Sequence, residues 1–505
     1  MGNPPTGYAS YLQRYDLIIA AFGAFLIIFA TGLWLVGRYG SPVPFWDEWD
    51  GEYAHVFRPF LDGTLTLNDL LATQNEHRIL LTKLIALAIL KIGGRWDVIA
   101  QMELNAAIHA ATLVMIGLWL AKTASKRYGH EASLLLMMFI AVAGAIPFGW
   151  DNTLMGFNTH FYLYIALSIG CINLLVGATA FSPQWWAGVL VGVISLFTLA
   201  GGALSLCPPL CVMALQMLRG QRRGTKEIVG ICALAALTAL LVTTVPAVAS
   251  SAPYRARSVG QFLDCLKAVS AWPLPPQRFF ITQGVPFLAF VTIVGTAPCR
   301  SDRRWRLVGG LAWLGMQMAL VAYSRAAAPL ESRYTDFWIA GQVVGSAAAM
   351  SLLYEKRFGW FGRWPLFLAV GGWFLILLKN FVSTARHQLP EAIHTRWFKS
   401  LLQESYLRDY LATGNPEALS DHQWMHLPYP DPVQLRHYLD EPHVRAILPR
   451  AVGGSAQESW LAHADAGFIA AAQPLFLLGA IMLFGVILIS ARRLLINRSP
   501  LVRVN

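Results

Sequence analysis

The chain has 505 residues, of which 56% are apolar and only 13% charged, with a formal net charge of +11 and a mean hydropathy of +0.49. Soluble domains carry about 25% charged residues, so a soluble globular fold is excluded. Apolar runs of about 20 residues recur along the whole length, each able to cross a hydrocarbon core of about 30 Å, and the basic excess falls in short loops, which predicts orientation in a lipid bilayer and no nucleic-acid partner.

The first apolar run, 16–36, is followed by Arg38 and Gly40 and by no small-residue cleavage site, which predicts a retained span. Directly after it comes VPFWDEWDGEY (43–53), where Asp47, Glu48, Asp50 and Glu52 stand among tryptophans with no lysine or arginine. The next apolar stretch, ILLTKLIALAILKI (79–92), carries Lys83 and Lys91. As a helix it reaches only about 21 Å, so it is expected to lie in the outer interface as an amphipathic helix. The run 98–121 then ends at the basic loop of Lys122, Lys126 and Arg127.

Basic loops mark the cytoplasmic side. Further along they are Arg219/Arg222/Arg223/Lys226, Arg300/Arg303/Arg304/Arg306, Lys356/Arg357/Arg363 and the tail Arg492/Arg493/Arg498/Arg503. Runs 132–149 and 160–179 flank WDNTLMGFNTHF (150–161), which is therefore external; runs 185–201 and 203–218 lead back to the cytoplasm. Runs 228–249 and 282–298 flank an external loop with Arg255 and Arg257, and runs 307–324 and 337–354 flank external RAAAPLESRYTDF (325–337). Runs 364–381 and 467–490 flank a polar external segment, 382–466.

With 79–92 in the interface every interval closes. The expected fold is an all-α polytopic membrane protein of about 12 transmembrane helices, both termini cytoplasmic, with a first external loop over 37–97. Three parts are expected: a membrane module over 1–381, a small helical external cap over 382–466, and a last span with a basic tail over 467–505. The six cysteines, Cys171, Cys207, Cys211, Cys232, Cys265 and Cys299, show no paired metal spacing, which predicts neither a disulfide framework nor structural zinc.

The order of span, acidic external loop, interfacial helix and second span resembles the GT-C glycosyltransferases, integral membrane enzymes that take a sugar from a polyprenyl-phosphate carrier. Asp47-Glu48-Trp49 fits the acidic pair of their first external loop, and its spacing to Tyr53 is similar to the DE-x-x-Y pattern of the aminoarabinose-transferring members. NEHRILLTKLIALAIL (75–90) sits where protein-mannosylating and arabinosylating members carry a His/Lys-Pro-Pro-Leu turn; this chain has no proline there and matches by position and apolar pattern. SRYTDFW (332–338) is similar to the Arg-Tyr at the outer start of a late span in these families. The resemblance implies a GT-C-like fold, a polyprenyl-phosphate-linked sugar donor, and a glycan, lipid or protein acceptor of the cell envelope. It also implies an active site on the periplasmic face of a bacterial inner membrane.

Such a transfer needs a base for the acceptor hydroxyl and cationic stabilisation of the departing phosphate. A carboxylate suits the base role once burial lifts its pKa toward working pH, and Asp47 is the expected base. Glu48 is then an orienting partner or, with Asp47, a ligand to Mg²⁺ or Mn²⁺; metal dependence differs among the families and is left open. Arg325 and Arg333 lie at external span ends, against the basic-loop trend, and suit a phosphate clamp. Asp50, Glu76, His77, Arg78 and Tyr334 are expected to contact substrate, as are Asp151, Asn158 and His160. LAGGALSLCPP (199–209) predicts a broken or tightly packed span pair. Two other classes compete: a transporter or lipid flippase, marked by ionisable groups inside spans, and a glycan polymerase or ligase using a diphosphate-linked donor.

Overall fold

The computed structural model describes residues 6–355, 360–421, 423–457 and 460–498, and among these the chain is helical, with no strand. Nine of the described helices are long and apolar enough to cross a membrane. The predicted runs 132–149, 160–179 and 185–201 form shorter apolar helices, Gly129–Ala145, Thr159–Leu175 and Pro183–Ile194. Lys356, Arg357 and Arg503 of the basic loops lie outside the described residues.

Helical structure runs from Val98 to Ala145 with a break at Gly129, whose φ of 80° is readily open only to glycine. There the chain doubles back: Gly117 faces Met137 and Ile140, while Gly144 faces Leu113. Two antiparallel helices therefore stand where one long helix would otherwise run. The N-terminal helix, Thr6–Tyr39, packs on this hairpin and on the last helix, Ala472–Arg498. Gly23 and Gly479 meet there so closely that a Cβ on either would strike the other's carbonyl oxygen. The helix Thr335–Leu353 is buried along nearly its whole length among the Val98–Ala145 hairpin, Phe279–Thr296 and Trp305–Ser324. Its GQVVGSAAAM stretch suits that place, since small residues let helices approach when no water drives them together.

In the loop expected to be external, 37–97, Trp49–Phe57 forms a π-helical turn that runs into Arg58–Leu61. The expected helix at 79–92 is Leu80–Gly93, ended by Gly94 at a left-handed φ of 66°. Its two lysines have different fates. Lys83 is fully buried, with Nζ donating to the carbonyls of Asp69 (2.9 Å) and Ala72 (2.8 Å), whereas Lys91 is exposed and lies 5.6 Å from the Phe60 ring centre.

The segment 382–466 is helical as expected, but it has no core of its own. The helix Trp360–His387 runs past the drawn boundary, and Leu389–Thr413 follows almost at once. Leu407, Leu435 and Leu439 share one hydrophobic cluster with Trp49, Phe57 and Trp96 of the first loop. The two pieces, remote in sequence, pack together.

Candidate functional site

A cavity of about 610 Å³ opens among the loop 37–97, the 157–164 turn, the broken stretch 199–204 and the segments 242–247 and 317–337. Its polar lining includes Asp47, Glu76, His77, His160, Arg325 and Arg333; its apolar lining includes Leu199, Leu204, Val242, Val245, Leu320 and Val321. Asn158 and Tyr334 also face it, whereas Glu48, Asp50, Arg78 and Asp151 do not.

The four acids of VPFWDEWDGEY therefore part company. Trp46 adopts a left-handed φ of 49° and donates its backbone N–H to the Pro428 carbonyl at 2.7 Å. Beyond this bend Asp47 reaches the cavity wall, where Gln74 Nε2 donates to its Oδ1 at 3.0 Å and Asn75 also bonds the carboxylate. Burial raises the Asp47 pKa, opposed by the Gln74 bond and by the charge of Arg333. Glu48 turns into the protein, fully buried, accepting backbone N–H bonds from Phe45 (2.6 Å) and Phe157 (3.2 Å). Burial carries it up to about 7 against those two bonds.

Glu52 is fully buried too, bonded by Trp96 Nε1 (2.8 Å) and Gln101 Nε2 (3.2 Å), and burial next to Glu48 lifts it well above the ordinary range. Asp50 accepts the hydroxyls of Tyr429 (3.0 Å) and Tyr438 (3.1 Å), tying the loop to the 429–440 segment. Glu48 and Asp50, expected at the substrate, thus both stand outside the cavity lining, with their oxygens holding the loop together.

The remaining predicted residues sort in the same way. Arg325 is paired with Glu76 at 2.7 Å and donates to the Tyr334 hydroxyl at 3.0 Å. Burial would lift Glu76, but His77, Arg325 and a bond from Ser251 (2.8 Å) hold it down at about 2. Arg333 lies 3.0 Å from Glu331 and 3.6 Å from Asp151, so Asp151 acts through that arginine. Arg78 donates to the Thr244 carbonyl at 2.8 Å, pinning the first loop to the end of the helix Thr225–Thr243. Asn158 donates only a long bond, 3.4 Å, to the Asp151 carbonyl.

Two features had no signal in the sequence, and a third, the expected break at 199–204, gains a partner that the sequence does not name. Gln74 is an ordinary loop glutamine until folding sets it against Asp47. Arg255 lines the cavity, and among the described residues its guanidinium has no ion pair or hydrogen bond, unlike Arg325 and Arg333. The break at 199–204 exposes the Ala200 N–H, which donates to His77 Nδ1 at 3.1 Å; the paired glycines and prolines there were the available signal.

Among the described residues no group of three or more His, Cys, Asp or Glu side chains converges to hold a metal ion. Asp47 and Glu48 point apart, so this pair does not fit a shared Mg²⁺ or Mn²⁺ site. No protein-family model matches the chain, and no curated protein matches it. What the cavity can do must come from its own chemistry: two carboxylates, three guanidiniums and hydrogen-bonding imidazoles, set against an apolar wall built from helices of membrane-spanning character.

Proposed function

We propose that the chain is a membrane glycosyltransferase with a GT-C-like arrangement of twelve spans and cytoplasmic termini. It moves a sugar from a polyprenyl-phosphate carrier to a cell-envelope acceptor on the outer face of a bacterial inner membrane. The observation that carries this reading is that Asp47 and Arg333, distant in sequence, line one cavity that also has an extended apolar wall. Asp47 accepts the acceptor's hydroxyl proton. The hydroxyl oxygen bonds to the anomeric carbon as its bond to phosphate oxygen breaks, the electron pair leaves with the phosphate, and the configuration inverts in one displacement. The apolar wall suits a polyprenyl tail.

The charge pattern favours a monophosphate over a diphosphate carrier. Arg325 and Arg333 are already neutralised by Glu76, Glu331 and Asp151, which leaves Arg255 as the uncompensated guanidinium of the cavity. A diphosphate would bring more charge than that one cation balances.

The test is release of free polyprenyl phosphate from a labelled polyprenyl-phosphate sugar by membranes containing the protein. Asp47→Asn should abolish release at unchanged expression. Release of a polyprenyl diphosphate from a diphosphate-linked donor would instead favour a polymerase or ligase.

A transporter or lipid flippase is the second reading, favoured by the pair of half-buried His109 and buried Asp336, 3.5 Å apart between two candidate spans. Ionisable groups in such places mark transport paths. Movement of labelled lipid across vesicles without sugar release would select it.

A further inference from the structure

His77 and His160 stand side by side in the cavity wall, ring centres 6.2 Å apart. Each has one nitrogen committed to the backbone, and the two commitments have opposite sense. His77 Nδ1 accepts the Ala200 N–H at 3.1 Å, so its lone pair is at Nδ1 and its proton at Nε2. His160 Nδ1 lies 2.9 Å from the Phe157 carbonyl, which only accepts, so the proton of this ring is at Nδ1 and its lone pair at Nε2. No bond from either Nε2 to protein is present among the described residues, and neither nitrogen is sealed from the cavity. His160 is nevertheless 3% exposed overall, a deeply buried ring with one open acceptor. Burial holds His77 down at about 4, so it is neutral at pH 7.

We infer that this pair reads a sugar hydroxyl in the cavity: His77 Nε2–H donates to the hydroxyl oxygen and His160 Nε2 accepts its proton. Two hydrogen bonds of about 2.8 Å through one oxygen hold two nitrogens about 4.5–5.5 Å apart, a separation that rings with centres 6.2 Å apart can present at their Nε2 edges. A hydroxyl both donates and accepts. An ammonium group donates only, and would leave the His77 Nε2–H facing another donor. Of the two cavity carboxylates, Glu76 is taken by Arg325 and Ser251, and Asp47 is the base for the acceptor hydroxyl in the transferase reading. The assignment rests on the glycosyltransferase reading and refines it: the donor sugar presents a neutral hydroxyl here, not the protonated amine of an aminoarabinose.

The experiment measures binding, and turnover separately, for the full chain in lipid nanodiscs. The probes are polyprenyl-phosphate mannose, polyprenyl-phosphate glucose and polyprenyl-phosphate 4-amino-4-deoxyarabinose. The variants are His77→Asn and His160→Asn. The shorter amide still meets the Ala200 N–H or the Phe157 carbonyl, so folding is retained, but nothing remains at the Nε2 position. The wild type should bind at least one hydroxylated donor about tenfold more tightly than the amino sugar, and each variant should erase that preference while leaving amino-sugar binding unchanged. Equal or tighter binding of the amino sugar, or variants that weaken all three donors alike, overturns the assignment. Preferential binding without any release of polyprenyl phosphate upholds the pair and removes the transferase reading instead.

Discussion

Glu76 and Arg325, 249 residues apart in the chain, meet at 2.7 Å in the wall of the cavity. The pair joins the loop 37–97 to the end of the helix Trp305–Ser324, and through Tyr334 to the start of the next. It is structural cement in the cavity lining, and both members are largely buried.

Removing one member should therefore cost stability. Arg325→Ala leaves the Glu76 carboxylate without its cation and is expected to destabilise by about 2–3 kcal/mol, below the range for a fully buried pair. A melting curve of the detergent-solubilised protein checks this. The sign with pH follows from Glu76: its folded pKa of about 2 lies below the ordinary 4.5. The stabilisation is complete above pH 4.5 and fades as pH falls from there toward 2. In Arg325→Ala this acid-range loss should shrink.

Asp47 and Glu48 are neighbours with opposite expected phenotypes. Asp47→Asn should lower sugar release by a factor of about 10²–10⁴ with little change in melting temperature. Glu48→Gln weakens the carboxylate that holds the Phe45 and Phe157 N–H groups, so it should destabilise by about 1–3 kcal/mol. A Glu48 variant as stable as the wild type but inactive would return Glu48 to the chemistry.

The rate should also follow pH through Asp47. A base works only when ionised, and burial places this carboxyl's pKa above 3.8. Activity is therefore lost as pH falls through that raised value and reaches a plateau above it. A rate profile over the acid range, compared between wild type and Gln74→Ala, tests the assignment. Loss of the Gln74 bond, which favours the charged form, should shift the limb to higher pH.

Arg255 gives the cleanest separation of binding from folding. It lines the cavity and supports no other group, so Arg255→Ala should leave the stability within about 0.5 kcal/mol of wild type. It should raise the KM for a polyprenyl-phosphate donor by about tenfold or more, the effect of a charged hydrogen bond. An unchanged KM would place the phosphate elsewhere.

Asp50 is predicted to act at a distance from the cavity. Asp50→Ala strips the Tyr429 and Tyr438 hydroxyls of their acceptor. The helix Pro432–Asp440 should then exchange its amide hydrogens faster, while the cavity arginines are undisturbed. Hydrogen–deuterium exchange by mass spectrometry reads both regions in one sample.

Much of the architecture could be read along the chain. Hydropathy is a local property, so apolar runs marked helices at 16–36, 98–121 and 307–324. The limited reach of 79–92 was a matter of length alone, and the glycine between two apolar runs at 129 is where the chain turns back. The grouping of Asp47 with Arg333 was also anticipated, because both were assigned to the same side of the bilayer.

Which acid faces the cavity was decided only by packing. Asp47, Glu48, Asp50 and Glu52 are chemically near-equivalent as letters. Their fates depend on partners contributed by remote segments: Gln74 for Asp47, the Phe157 amide for Glu48, Tyr429 and Tyr438 for Asp50, Trp96 for Glu52. The same holds for the arginines, where a nearby carboxylate decides which cation stays open, and for the two histidines, whose protons are placed by one backbone amide and one carbonyl. Composition and period determine where a bilayer-spanning helix forms, because burial in lipid depends on the segment alone. The direction and charge state of a polar side chain depend on atoms that only the folded chain brings within about 3 Å.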